Sequence, residues 1–382
     1  MALPSHASEI NISDKIADTI KTTAGYFTNG DGTLGGEDIF TGSLASSNEL
    51  YYFNVNHKTP TDTTSEVQFS VTFGHAAGSG SNTYGDSTTN ANTLNGETQA
   101  IYKQFTNLLL QESEASGGFR ISANAGGDGI LAVDTRDEYF YALVGKREKF
   151  KDRFNKKSWT LSLSGSDTAG LGNQIFLTDD SSTVAAVATP GGPRHNIVSG
   201  TLGNVVAGHT YADKTYGWFY PEMGVMLFSG VELSASIPGL GGAEGTEHVT
   251  ASFDTDLVPL ASSGFSPNIN STANSKNALR LANCMRNVNG NALRLRSEED
   301  QTQENYFCRI KAAEYNFSAN PTFTSGSKNK IRNLDMHGNP QSFITGVGLY
   351  NSAGQLLAIA KLSSPLKKNF ASEATVKVKL TY

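Results

Sequence analysis

The groups in this sequence able to bind a metal, move a proton or attack a carbon are its seven histidines, its two cysteines and a few close carboxylates. A zinc site needs ligands at short recurring spacings, such as two histidines one helical turn apart. His6, His57, His75, His195, His209, His248 and His337 are scattered without such spacing. Cys284 and Cys308 form no Cys-x-x-Cys pair and are too few for a disulfide scaffold, so they read as buried free thiols of a protein made in a reducing cytoplasm. Asp179-Asp180 and Glu298-Glu-Asp300 supply the paired carboxylates of a glycosidase, yet adjacency in sequence sets no separation across a cleft. His75 stands between an alternating strand and a glycine-rich loop, a place for a loop-anchoring histidine rather than a catalytic one.

The loops offer little more. The glycine-rich stretch 74–85 is followed by no Lys-Ser/Thr pair and no immediate helix, so it is a loop and not a phosphate cradle. Asn29-Gly-Asp-Gly-Thr33 places oxygens at alternate positions as a calcium loop does, but lacks the glycine at the sixth position and the glutamate at the twelfth, and reads as a turn. No Gly-x-Ser-x-Gly is present for a nucleophilic serine. The expectation is therefore a protein that is not an enzyme and uses no cofactor or metal; a glycan hydrolase built on the paired carboxylates is the rival. The net charge of -6 argues against a nucleic-acid binder, and the basic cluster 146–157, interleaved with Glu148 and Asp152, reads as a solvated face. No apolar run reaches the ~18 residues of a membrane helix, and the first six residues lack the pattern of a secretion signal, so neither is expected.

The elements that would position these groups are mostly strands. Over 382 residues, short Val/Thr/Phe/Tyr-rich runs recur between Ser, Thr, Asn and Gly clusters, which points to a mainly β, sandwich- or barrel-like, loop-rich protein of several domains with a few short helices. Residues 1–60 read as an N-terminal arm or small subdomain. Residues 61–260 form the main β domain, with one helix at about 97–112 carrying Ile101, Phe105, Leu108 and Leu109 at helical spacing and Tyr102 beside them. In it, Val67, Phe69, Val71 and Phe73 alternate with Gln68, Ser70 and Thr72, the pattern of a strand buried on one face. Residues 261–382 form a C-terminal β domain, with a helix at 278–285 and the pentapeptide Asn-Ala-Leu-Arg-Leu at both 277–281 and 291–295. It ends in a hairpin (343–350, turn 351–354, return 355–362), a break at 363–373 around Pro365, and a last strand, 374–382. There Val376, Val378, Leu380 and Tyr382 share one face, and Lys377, Lys379 and Thr381 the other.

Several short motifs carry a likeness. Val71-Thr-Phe-Gly-His75, Gly78-Ser-Gly-Ser81, Ala100-Ile-Tyr102, Leu177-Thr-Asp-Asp-Ser181, Asn196-Ile-Val-Ser-Gly200 and Tyr220-Pro-Glu-Met-Gly224 come in order, followed by Tyr306-Phe-Cys-Arg-Ile310 and Glu314-Tyr-Asn-Phe-Ser318. With Ile344-Thr-Gly-Val-Gly-Leu-Tyr-Asn351 and the closing Val376-Lys-Val-Lys-Leu380, this order resembles virion structural proteins of tailed bacteriophages, above all the T4-like, contractile-tailed, cyanophage-type group, over residues 66–382. The resemblance implies a non-enzymatic building block of the tail or baseplate in the virion, made in the host cytoplasm. Its partners would be other virion structural proteins in a homo- or hetero-oligomeric ring or complex, with no nucleic acid and no membrane span.

The candidate assembly interface is the face of Val376, Val378, Leu380 and Tyr382, because an ordered terminal strand belongs to a sheet, its own or a neighbour's. The alternatives are a neck or capsid-associated protein, or a receptor- or glycan-binding module using Tyr216, Trp218, Phe219 and Tyr220 as an aromatic platform.

Overall fold

The computed structural model describes residues 9–26, 32–41, 51–81, 96–115, 117–121, 136–150, 152–164, 174–206, 215–233, 237, 277–286 and 288–381. They fall into two compact units, Ala24–Glu299 and Met1–Thr23 with Asp300–Tyr382.

The larger unit is built on an antiparallel sheet of 13 strands, curled on itself. From edge to edge its path runs Thr33–Gly35, Asn291–Arg294, Thr160–Ser164, Gln174–Asp179, Gly192–Thr201, Gly217–Tyr220, Val225–Ser229, Tyr139–Gly145, Val67–His75, Tyr52–Asn56 and Phe40–Thr41. Val187–Thr189 and Asn204–Val205 pair onto Gly192–Thr201. The protein is thus mainly β with a few short helices, as the composition implies. No described helix is long and apolar enough to cross a membrane.

Side-chain alternation divides the apolar residues between two clusters. Tyr139, Tyr141, Leu143, Phe219, Met226 and Phe228 enter one; Phe140, Ala142, Trp218, Tyr220, Val225 and Leu227 enter the other. The central strands are therefore buried on both faces, and full burial of each large apolar side chain is worth about 2 kcal/mol. Helix Leu279–Arg286 adds Leu279, Ala282 and Met285 to the first cluster, and helix Glu97–Leu109 adds Tyr102, Phe105 and Leu109 to the second.

Two expectations need correction here. Val67–His75 does not have one wet face: Gln68 and Thr72 are buried as well, because the strand lies inside the sheet between Tyr52–Asn56 and Tyr139–Gly145, with the helix Glu97–Leu109 packed against it. The helix ends at Leu109, and Leu108 points outward. Its stripe centres instead on Tyr102, whose hydroxyl donates to the Asp137 carbonyl at 2.7 Å and accepts the Phe119 N–H at 3.0 Å. At Gly74 a Cβ would stand 2.7 Å from the Phe140 ring, so only glycine fits. The glycine-rich loop serves the same helix: Ser81 Oγ accepts the Thr98 N–H at 3.0 Å, and Thr98 Oγ1 donates to the Ser79 carbonyl at 2.9 Å. From the described N-terminal residues 32–41 and 51–60, Leu34, Ile39, Phe53 and Val55 enter the core of this unit.

The smaller unit contains the strand Lys15–Tyr26 as far as Thr23, Arg296–Ile310 from Asp300 onward, and Ala374–Thr381, side by side in that order, and the hairpin Ser342–Tyr350 with Leu356–Lys368. The return strand of the hairpin does not stop at residue 362; it runs through Pro365 to Lys368. Pairing jumps from Gly346↔Lys361 to Ile344↔Leu366, so Pro365 sits in a bulge where no ladder N–H is required.

Candidate assembly interface

The terminal strand pairs with its own chain. Ala374–Thr381 lies antiparallel to Gln303–Ile310 over eight residue pairs, with Val378 opposite Tyr306, Val376 opposite Cys308 and Leu380 opposite Glu304. Val378 is buried, Val376 and Leu380 are half-buried, and Lys377 and Lys379 are exposed on the other face, where the Lys377 ammonium stands 5.6 Å from the Phe307 ring centre. Tyr382 lies outside the described residues. Glu304 on the buried-side face takes an ion pair from Lys15 at 3.0 Å and the Tyr306 hydroxyl at 2.5 Å. Among the described residues Ala374–Thr381 ends the strand order of this sheet, leaving one edge without a ladder partner.

The hairpin, which the sequence also marks, is the larger feature. Its turn is fixed by Asn351, whose Oδ1 accepts the Gln355 N–H at 2.8 Å, and by Gly354 at φ 76°. Its base is fixed by Lys368, which is fully buried and donates its three ammonium protons to Ala312 O, Asn316 Oδ1 and Asn369 O at 2.8–2.9 Å. Between turn and base, the outer surface is apolar and open to solvent: Phe343 is 54% exposed, Leu356 51%, Leu357 67% and Ile359 72%. The run Leu-Leu-Ala-Ile reads as core in a sequence; only the structure shows that nothing of the described chain covers it.

The other singled-out residues hold the fold. His75 is buried, stacks on Tyr139 at 6.1 Å and accepts the Ala77 N–H on Nδ1 at 3.1 Å; burial pushes its pKa down to about 4, so it is neutral. Asp179 accepts the Lys157 N–H at 3.0 Å and the Ser181 hydroxyl. Asp180 accepts the backbone and side-chain N–H groups of Asn196 at 3.0 and 2.8 Å, while burial raises its pKa. Glu298 pairs with Arg153 at 2.6 Å. These carboxylates pin turns and strands. Trp218, Phe219 and Tyr220 are buried and Tyr216 is half-buried, so the four make core and not an exposed platform. Cys284 is buried, as expected, whereas Cys308 is only half-buried, like Val376 opposite it on the neighbouring strand. Among the described residues no three His, Cys, Asp or Glu side chains converge as a metal site. Asn29 to Asp31 of the turn-like loop lie outside the described residues. No protein-family model, curated protein or solved structure matches the chain.

Proposed function

We propose that this chain is a non-enzymatic structural subunit of a contractile-tailed phage virion, a tail or baseplate component that assembles with further copies of itself and with other virion proteins. The observation that carries the assembly reading is the thin core of the smaller unit. Its buried apolar side chains among the described residues are Ile310, Phe323, Leu349 and Val378, while Phe317, Leu334, Phe343, Leu356, Leu357, Ile359 and Phe370 are exposed. A two-stranded hairpin is marginal in water on its own and gains stability when a neighbour covers its apolar face.

The charge distribution supports a second copy of this chain as the neighbour. The smaller unit carries twelve Lys/Arg against eight Asp/Glu, a net of +4, and the larger unit eighteen against twenty-eight, a net of -10. Lys361, Lys367, Lys377 and Lys379 are exposed on the hairpin and terminal strand. A basic, apolar hairpin of one copy thus complements the acidic larger unit of the next, a head-to-tail contact that closes into a ring when its rotation allows. Placement in the phage tail is supported by the motif likeness, to which the hairpin and the strand Val376–Leu380 contribute.

The assembly reading is tested by sedimentation of the purified chain over a range of concentration and salt. Self-association that weakens as salt rises is the expected outcome; a chain that stays monomeric at high concentration and low salt overturns it.

A further inference from the structure

Independently of assembly, the larger unit holds a cavity of about 410 Å³ lined by Lys156, Lys157, Ser181, His195 and Glu298, with Val184 to Ala186 as an aliphatic wall. Its volume is at the lower end of the range for small-molecule sites. His195, in the strand Gly192–Thr201, is only 6% exposed, and neither Nδ1 nor Nε2 has a hydrogen-bond partner among the described residues. Buried polar atoms are nearly always satisfied, so an imbalance of two nitrogens on one imidazole marks a place where something else binds.

The surroundings give the sign of that ligand. Burial, reinforced by the Lys156 and Lys157 charges and opposed by Asp179, lowers the pKa of His195, leaving a neutral ring with one N–H donor. Glu298 is committed to Arg153, and Asp179 to the Lys157 N–H and the Ser181 hydroxyl. Lys157 is held in the left-handed region at φ 63°, with its Cα 2.7 Å from where a Cβ on Gly203 would lie. A lysine in that conformation is strained by about 1 kcal/mol and persists because Asp179 fixes its backbone. The result is a turn that presents two consecutive ammonium side chains beside an unpartnered imidazole.

We propose that this cavity binds a small oxyanion, a carboxylate or phosphate group, with Lys156 and Lys157 taking its charge and the His195 N–H its hydrogen bond. The test uses the full chain with ¹⁵N-labelled histidine rings, the His195 signals being assigned by their loss in His195→Gln. Malonate and inorganic phosphate are titrated separately, at constant ionic strength, to distinguish the two groups. A saturable shift of the His195 ring signals with at least one probe, with the His75 signals unmoved, is expected. In Lys156→Gln/Lys157→Gln the affinity should fall about ten- to a hundredfold. Should that variant lose stability at its strained turn, Lys156→Gln alone, outside the strained position, should still weaken binding about tenfold. No saturable shift with either probe at millimolar concentration, or lysine variants that bind as the parent chain does, overturns the proposal.

Discussion

Replacing Leu357 and Ile359 by threonine separates an assembly surface from an ordinary wet hairpin. Threonine is β-branched and favours a strand, while it removes most of the apolar surface. The two side chains are 67% and 72% exposed in the single chain, so their stabilising burial is still to be gained. At about 2 kcal/mol for complete burial of such a side chain, the remaining exposure is worth roughly 1.4 kcal/mol each, or about 3 kcal/mol for the pair. Since about 1.4 kcal/mol is a factor of ten in a binding constant, the double variant should self-associate roughly a hundredfold more weakly. Sedimentation equilibrium reads that shift directly, and a urea melt supplies the control. The monomer's unfolding free energy should stay within about 0.5 kcal/mol of the parent, because neither residue packs into its own core. An unchanged association constant, or a loss of monomer stability as large as the predicted loss of association, would refute the reasoning.

Three further outcomes follow from buried groups. His75 has a folded pKa of about 4 against an ordinary 6.5, so the unfolded chain binds more protons between those values, and its contribution to stability is intact above pH 6.5 and lost as pH falls toward 4. That contribution is at most on the order of 3 kcal/mol, and urea melts across this range should show a flatter pH slope in His75→Asn. Lys368→Met keeps the aliphatic stem but leaves three oxygens without the ammonium, which should cost roughly 2–4 kcal/mol and raise amide exchange at the base of the hairpin. Tyr102→Phe removes the hydroxyl that joins the Phe119 N–H to the Asp137 carbonyl, and a melt should register a loss of about 1–3 kcal/mol.

Period-two alternation made the strands legible: Val376, Val378 and Leu380 share the inward face that their spacing dictates, and Phe69, Val71 and Phe73 are all buried. What alternation does not contain is the identity of the layer above or below. Gln68 and Thr72 look like surface residues until the sheet and helix around them are known, and Leu357 and Ile359, part of an apolar run, stay exposed because nothing of the described chain covers them. The repeated pentapeptide makes the same point within one chain: Asn277 to Leu281 enters the helix Leu279–Arg286, while Asn291 to Leu295 begins as the strand Asn291–Arg294. Identical local preference gives two structures because tertiary packing outweighs propensity of a few tenths of a kcal/mol per residue. The cavity at His195 was unreadable for a related reason, since its lining residues, from Lys156 to Glu298, lie far apart in sequence and only tertiary structure brings them together.

The central claim, that this chain is a built-in part of a phage tail, is tested most directly by fusing a small electron-dense tag to it and imaging purified particles. The account predicts tag density at a fixed position on the tail or baseplate, repeated with the symmetry of that assembly. Particles with full tails and no tag on them, with the tagged chain left free in the lysate, would contradict it.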